Sequence, residues 1–456
     1  MLYKSRKKKV HFIGIGGIGM SGISEILLSQ GYIVSGSDLN ESDITRRLAS
    51  LGAVIYYGHH EKNLGNADVV VVSSAIDEKN PEIQLARKNK IPIIQRAEML
   101  AELMKMKTGI AIAGTHGKTT TTSIIATIVQ SSGLDPTIII GGRVDALGGN
   151  AKLGKGDFLV AEADESDKSF LHLPATIAVV TNIDNDHLNN YGTINNIKDA
   201  FVDFVNRIPF YGLAVLCADD ENVKTILPRL KKPHITYGFS PQADLQARNL
   251  AFANFGSTFE VWSGEKKLGD VQCNVPGNHN ALNSLAAIAV GQEIGLTFAQ
   301  VKAGLAQFHG VRRRFELKGE KNEIRIYDDY GHHPTEVRAT LAAARKAWNG
   351  RIVACFQPHR YSRTQDCYED FVRAFDDADV LFMADIYPAG EAPIEGISAE
   401  KLSEDVRQQG HKSVEYVGDA KKAAEKIAPK LQPGDLFLTL GAGNVYATGE
   451  QVLKLL

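Results

Sequence analysis

The chain has 456 residues, 44% hydrophobic and 23% charged, which is ordinary globular composition with length for about three domains. A formal net charge of −2 gives no footprint for nucleic acid, and no apolar run is long enough to span a bilayer. Cys217, Cys273, Cys355 and Cys367 are scattered without C-x-x-C spacing, so they read as reduced thiols rather than a disulfide frame.

Along the chain, residues 10–13 (Val-His-Phe-Ile) predict a strand that runs into Gly14-Ile15-Gly16-Gly17-Ile18-Gly19 and then a helix over residues 20–28. The basic Lys7-Lys8-Lys9 ahead of it superficially suggests a signal peptide. Glycines break the apolar stretch and no small-residue cleavage site follows, so a cytoplasmic protein is expected. Further strands are predicted at 32–36, 54–57, 68–72 and 91–94. The unbroken valines at 69–72 suit a parallel strand buried on both faces. Residues 104–108 read as a linker. A second sheet then starts at Gly109, with strands at 110–112, 137–140, 157–161, 176–180 and 213–216. Alternation around Gly256 predicts antiparallel hairpins between 244 and 275, followed by helices over 281–295 and 299–308. From about residue 315 a third α/β pattern places strands at 324–327, 351–356, 380–383 and 435–440. The expected fold is α/β with three consecutive domains: a Rossmann-like N-terminal domain (1–107), a P-loop ATPase-like mixed sheet (108–314) and a Rossmann-like C-terminal domain (315–456).

Two glycine loops carry the first chemistry. In Gly114-Thr115-His116-Gly117-Lys118-Thr119-Thr120 a strand, a turn, a lysine and a hydroxyl at a helix start form a phosphate cradle. Backbone N–H groups and the helix dipole face the anion, the ammonium reaches the outer phosphates, and a hydroxyl is placed for Mg²⁺. Ile112 stands where the usual loop has another glycine, so this is a shortened variant. Gly14 to Gly19, with Asp38 ending the next strand, is the G-x-G-x-x-G geometry that suits any nucleotide diphosphate, a nicotinamide cofactor included.

Two predicted strands of the second sheet end in acids, Glu162 to Asp167 and Asp184 to His187. Carboxylates gathered beside a phosphate loop repel one another unless they hold a cation, so metal coordination is the physical reading. Asn280 and Asn283 lie one helical turn apart and can reach the same ligand edge. Arg312-Arg313-Arg314 suits phosphate charge. Tyr330, His332, Arg360 and Arg363 follow strands of the third domain, where such groups can hold a carboxylate substrate.

Gly-Ile-Gly-Gly-Ile-Gly-Met-Ser-Gly at 14–22, Gly-Thr-His-Gly-Lys-Thr-Thr at 114–120, Glu-Ala-Asp-Glu-Ser-Asp at 162–167, Asn-His-Asn-Ala-Leu-Asn at 278–283 and Asp-Asp-Tyr-Gly-His-His-Pro at 328–334 occur in one order over the whole chain. In this the sequence resembles the Mur ligases. The resemblance implies an ATP-dependent amide ligase that joins L-alanine to the lactyl carboxylate of UDP-N-acetylmuramate through an acyl phosphate. It further implies Mg²⁺ or Mn²⁺, a monomer or homodimer, and no nucleic-acid or membrane partner. ATP would bind Gly114, Thr115, His116, Gly117, Lys118, Thr119, Thr120, His279, Asn280, Asn283, Arg314 and Asp329. Thr119, Glu162 and His187 would hold metal. Gly14, Gly16, Gly17, Ile18, Gly19, Asp38, His59, Ser73 and Arg96 would surround the sugar nucleotide, with Tyr330, His332, Arg360 and Arg363 near the amino acid and lactyl carboxylate. Lys118, His187, Arg314 and His332 would be catalytic. Several relatives carry a carbamylated lysine after the His187 strand; Ala200-Phe201-Val202-Asp203-Phe204 offers none, consistent with the alanine-adding branch.

Overall fold

Alternating strands and helices build three α/β sheets in series in the computed structural model, which describes residues 8–73, 75–144, 149–186, 188–253 and 255–456. The first contains β1 (Lys9–Ile13), β2 (Ile33–Asp38), β3 (Val54–Tyr57), β4 (Val69–Val72) and β5 (Ile93–Gln95), in the order β3-β2-β1-β4-β5. All its pairs are parallel. Helices α1 (Ile18–Ser29), α2 (Asp43–Ser50), α3 (Pro81–Lys88) and α4 (Arg96–Met104) cover it. The chain moves outward from β1 in both directions, so the switch point of the sheet falls at the end of β1, where the first glycine loop sits.

Among the described residues the central sheet has ten strands: β6 (Thr108–Ala113), β7 (Thr137–Val144), β8 (Gly149–Lys152), β9 (Phe158–Glu162), β10 (Ile177–Val180), β11 (Leu213–Cys217), β12 (His234–Gly238), β13 (Leu245–Ala253), β14 (Gly256–Ser263) and β15 (Lys266–Cys273). Their order is β15-β14-β13-β12-β11-β10-β6-β9-β7-β8. β6 lies between β10 and β9, parallel to both, while β7 and β8 pair antiparallel, so the sheet is mixed. The last three strands are sequence neighbours in adjacent positions of the sheet, the order expected of hairpins. Helices α5 (Lys118–Ser131), α6 (Leu188–Tyr191), α7 (Ile194–Asn206), α8 (Glu221–Ile226), α9 (Asn278–Glu293) and α10 (Phe298–Ala306) complete this part.

The third sheet contains β16 (Glu316–Lys321), β17 (Ile324–Asp329), β18 (Ile352–Phe356), β19 (Val380–Ala384), β20 (Val414–Gly418) and β21 (Leu436–Leu440), ordered β16-β17-β21-β18-β19-β20. It is parallel except for the β16–β17 pair. Its helices are α11 (Pro334–Ala347), α12 (Tyr361–Asp366), α13 (Tyr368–Val372), α14 (Ala399–Gln408), α15 (Ala420–Ile427) and α16 (Tyr446–Leu455). By compactness the chain forms two units. One comprises residues up to 248 with 260–269 and 282–308; the other comprises 249–259, 270–281 and 309–456.

Apolar strands set the cores. β10 and β18 are buried at every position, and Phe356 packs against Phe371 and Phe375 with ring centroids 5.4 and 5.2 Å away. All four cysteines are buried. Phe170, just beyond the acidic end of β9, packs on Phe201 (5.3 Å) and Phe204 (4.9 Å) of α7, and all three rings are buried. This aromatic cluster ties the acidic loop to the helix layer. Replacing Phe201 with alanine is expected to destabilise the first unit by about 3–5 kcal/mol, read as a lower denaturation midpoint in urea.

Candidate functional site

The phosphate loop begins where β6 runs out. Gly114 has φ +135°, and a Cβ there would lie 2.0 Å from Thr181 Oγ1. Gly117 has φ +81° at the N-cap of α5. Both positions therefore need glycine. The residues after β10 brace the loop. Asn182 accepts from Thr115 N through its carbonyl (3.1 Å) and from His116 N through Oδ1 (2.7 Å). Thr181 Oγ1 and Asn182 Nδ2 donate to the His116 carbonyl at 2.6 and 2.9 Å. Asp184 receives the His116 ring at 2.9 Å, and its backbone N–H donates to Thr115 Oγ1 at 2.8 Å.

Lys118 opens α5 and folds back over the loop, donating to the carbonyls of Gly114 (2.7 Å) and Thr115 (3.0 Å). It also contacts Glu165 Oε1 at 3.0 Å and Oε2 at 2.8 Å. Burial alone would lower the lysine pKa, but Glu165, Asp164 and Glu162 together raise it, so the ammonium stays charged. Burial pushes the Glu165 carboxyl up to about 7 despite that lysine. Thr119 Oγ1 donates to Glu162 Oε2 at 2.9 Å, and Gly141 N donates to the same oxygen at 2.8 Å. A hydroxyl and a carboxylate at a helix N-terminus form a hard-oxygen donor pair, which fits Mg²⁺. Thr120 follows within α5. Asn283, near the start of α9, lies beside the loop, its Oδ1 2.9 Å from where a Cβ on Gly117 would stand. His187 lies outside the described residues.

The first glycine loop is held by β2. Gly14 N and Ile15 N donate to the Ser37 carbonyl at 2.8 and 3.0 Å, and Gly16 N donates to Asp38 Oδ2 at 2.8 Å. Asp38 thus braces the loop. Gly17 caps α1, which starts at Ile18. Ser73 lies 3.7 Å from the Cβ position of Gly14. Arg96, opening α4, crowds the Cβ position of Gly19 (Nη1 at 2.9 Å) and faces Asp164 at 3.5 Å. One guanidinium thus joins the first glycine loop to the acidic end of β9. His59 bonds Ser37 and stands near a buried carboxylate, Glu82, that the motif reading did not single out.

The second unit gathers its own cluster after β17. Asp329 accepts from Phe315 N and Gly331 N, both at 2.7 Å. Burial drives its carboxyl up to about 6, against the pull of Arg314 and those backbone donors. Arg314 lies over the Tyr330 ring (5.2 Å) and 3.8 Å from Glu336. Arg313 is committed elsewhere, to Asp328 (3.1 Å) and the Gly441 carbonyl (2.7 Å), so the arginine run is no uniform phosphate patch. His332 contacts the Tyr330 carbonyl (3.1 Å) and Glu336 (3.4 Å), and its ring sits against His359 (5.7 Å). Arg360 lies 3.6 Å from Glu391, and Arg363 meets His359 at 3.4 Å. Burial, then Arg363 and Arg360, lower the His359 pKa to about 4. Asn280 turns its amide onto the Pro276 carbonyl at 2.6 Å. Beside it His279 is lowered to about 4, by burial first and Arg314 second.

Comparison with known proteins bears on this geometry. The model of the Mur ligase family, catalytic domain, matches residues 9–108; the Mur ligase middle domain matches 112–291; the Mur ligase, glutamate ligase domain, matches 313–443. A relative from Geobacter sp. (strain M21), UDP-N-acetylmuramate–L-alanine ligase, is 58% identical over 98% of this chain and 97% of its own. The chain belongs to the Mur ligase family. Among solved Mur ligases, UDP-N-acetylmuramate-alanine ligase MurC from Thermotoga maritima is 30% identical with a TM-score of 0.84, covering 98% of each chain. A murein peptide ligase from Psychrobacter arcticus is 25% identical with a TM-score of 0.70, again over 98% of each chain.

The His279 environment generates a stability test. In the folded protein its pKa is about 4, below the ordinary 6.5, so the unfolded chain binds more protons between those values. His279 therefore subtracts stability as pH falls from 6.5 through 4, by roughly 1–3 kcal/mol. Asp329, raised to about 6, acts with the opposite sign over an overlapping window. The difference in unfolding free energy between wild type and His279→Gln is expected to vary over pH 4–6.5 and to be flat from pH 7 to 8.

Proposed function

We propose that this Mur ligase joins L-alanine to the lactyl carboxylate of UDP-N-acetylmuramate with cleavage of ATP. The products are UDP-N-acetylmuramoyl-L-alanine, ADP and phosphate, formed in peptidoglycan precursor synthesis in the cytoplasm. The observation that carries this reading is near full-length identity of 58% to a relative of that named activity. The phosphate loop, with Lys118 and the Thr119–Glu162 pair, supports the ATP-dependent step. Among the described residues, no helix is long and apolar enough to cross a membrane.

In this reading residues 1–107 hold the UDP moiety, 108–314 hold ATP and 315–456 hold the amino acid. A carboxylate is a poor electrophile until one of its oxygens is phosphorylated. The lactyl carboxylate attacks the γ-phosphorus, ADP leaves, and an acyl phosphate forms. The alanine amine then attacks the acyl carbon, and the tetrahedral adduct expels phosphate as the amide forms. Lys118 exchanges its carbonyl and Glu165 contacts for phosphate oxygens and offsets the charge that gathers there. Thr119 and Glu162 would hold Mg²⁺, with His187 as ligand to a second ion; the metal supplies charge neutralisation at the transferring phosphoryl group. Asn280, Asn283 and His279 frame the adenine, and Arg314 and Asp329 complete the nucleotide site. Arg360 and Arg363 bind the alanine carboxylate, with His332 and Tyr330 beside the amine.

Phosphate release is expected to require ATP, UDP-N-acetylmuramate and an amino acid together, with L-alanine ahead of glycine and L-serine. Preference for a tripeptide would make the chain a recycling ligase instead, and NAD(P)H oxidation would make it a dehydrogenase. Lys118→Ala is expected to lower kcat/KM by at least about 10³-fold, measured as amide formation, because the developing charge loses its principal cationic partner.

A further inference from the structure

Glu82 is fully buried at the start of α3, and each of its oxygens meets two donors. His11 Nε2 approaches Oε2 at 2.9 Å and Ser37 Oγ approaches it at 2.8 Å. His60 N and Asn63 Nδ2 donate to Oε1 at 3.0 and 2.8 Å. Burial would raise this carboxyl, but the hydrogen bonds from His11, Ser37 and Asn63 outweigh burial and hold it below its ordinary range. It is ionised, and an ionised carboxylate only accepts.

That fixes the protons around it. Ser37 has one hydroxyl proton, and the contact with Glu82 uses it. The same Oγ lies 3.0 Å from His59 Nδ1, a hydrogen bond only if Nδ1 carries the proton. Glu82 Oε1, 3.7 Å from that nitrogen, favours the same arrangement. A neutral imidazole protonated at Nδ1 leaves Nε2 as a bare acceptor, and Nε2 of His59 has no partner among the described residues. His59 follows β3 at the carboxyl edge of the first sheet, and the Ser37 carbonyl also anchors Gly14 and Ile15.

We infer that Glu82 is a positioning residue that acts through Ser37 to lock His59 as the Nδ1–H tautomer, so that Nε2 accepts a hydrogen bond from a uracil imide or ribose hydroxyl of the UDP moiety. The ligand half of this inference rests on the proposed UDP site; the tautomer half stands on the protein alone. Long-range ¹H–¹⁵N NMR of the full-length wild type reads the tautomer directly. His59 is expected to be protonated at Nδ1, and added UDP is expected to shift the Nε2 resonance as that nitrogen takes up a hydrogen bond. CDP, which lacks the imide proton, and 2′-deoxy-UDP, which lacks one hydroxyl, show which donor is read by which of them loses that shift.

Ser37→Ala is expected to relax His59 to a mixture of tautomers and to weaken UDP about tenfold while ATP affinity holds, one lost hydrogen bond's worth. Glu82→Gln is expected to do the same, and the double variant to be no weaker than either single, because both act on one chain of protons. His59 protonated at Nε2 in the wild type, or an unchanged tautomer in Ser37→Ala, overturns the inference, as does an Nε2 resonance that bound UDP leaves unmoved. If Glu82→Gln does not fold, the wild-type spectrum and Ser37→Ala still decide it. Wild type that fails to bind UDP at all removes the UDP reading, while its tautomer still judges the lock.

Discussion

A glycine turn at the end of β6, with Lys118 folded back over its carbonyls, is the constraint around which the central sheet is organised. The ammonium over the loop is held by the carbonyls of Gly114 and Thr115 and the carboxylate of Glu165. The loop in turn keeps its shape because Thr181, Asn182 and Asp184, from the strand beside it, take up its polar groups. Neighbouring parallel strands therefore deliver the cradle, its brace and its acids to one edge. Register does this without long side chains: β6 pairs Ala113 with Val180 of β10 and Ile112 with Glu162 of β9.

Buried carboxylates recur in both units, and the solutions differ. Glu82 is ionised because four donors converge on it. Glu165 has one strong cationic partner and is pushed up to about 7, where it titrates near neutrality. Asp329 accepts two backbone N–H groups and still rises to about 6. Hydrogen bonds outweigh desolvation at Glu82, whereas desolvation outweighs the partners of Glu165 and Asp329.

Much of this was legible in the chain. The valines at 69–72 and the glycines at 114 and 117 announced a buried parallel strand and a phosphate loop, because periodicity and φ requirements are local. The three-sheet α/β architecture followed from the same alternation. Strands β12 and β20 escaped notice, since both are only partly buried along their length and lack an unbroken apolar run. Glu82 escaped because Asn80-Pro81-Glu82 is an ordinary helix start, with a cap, a proline at N1 and an acid in the first turn. Its partners His11 and Ser37 lie 71 and 45 residues away, and no local pattern reveals such a meeting. The arginine run misled in part for the same reason, since only the fold shows that Arg313 is spent on Asp328 and Gly441.

Arg96 gives the first unit a property that neither glycine loop has alone. Its guanidinium touches the start of α1 and faces Asp164, so one cation is shared by the first glycine loop and the acidic end of β9. A pyrophosphate seated on the first loop would compete with Asp164 for that cation and leave the acid demanding positive charge from elsewhere. A cation supplied at the acidic edge would, by the same thermodynamic cycle, free Arg96 for the pyrophosphate. In the proposed reading the two ligands are thus coupled through one side chain, and each changes the other's affinity by the same factor.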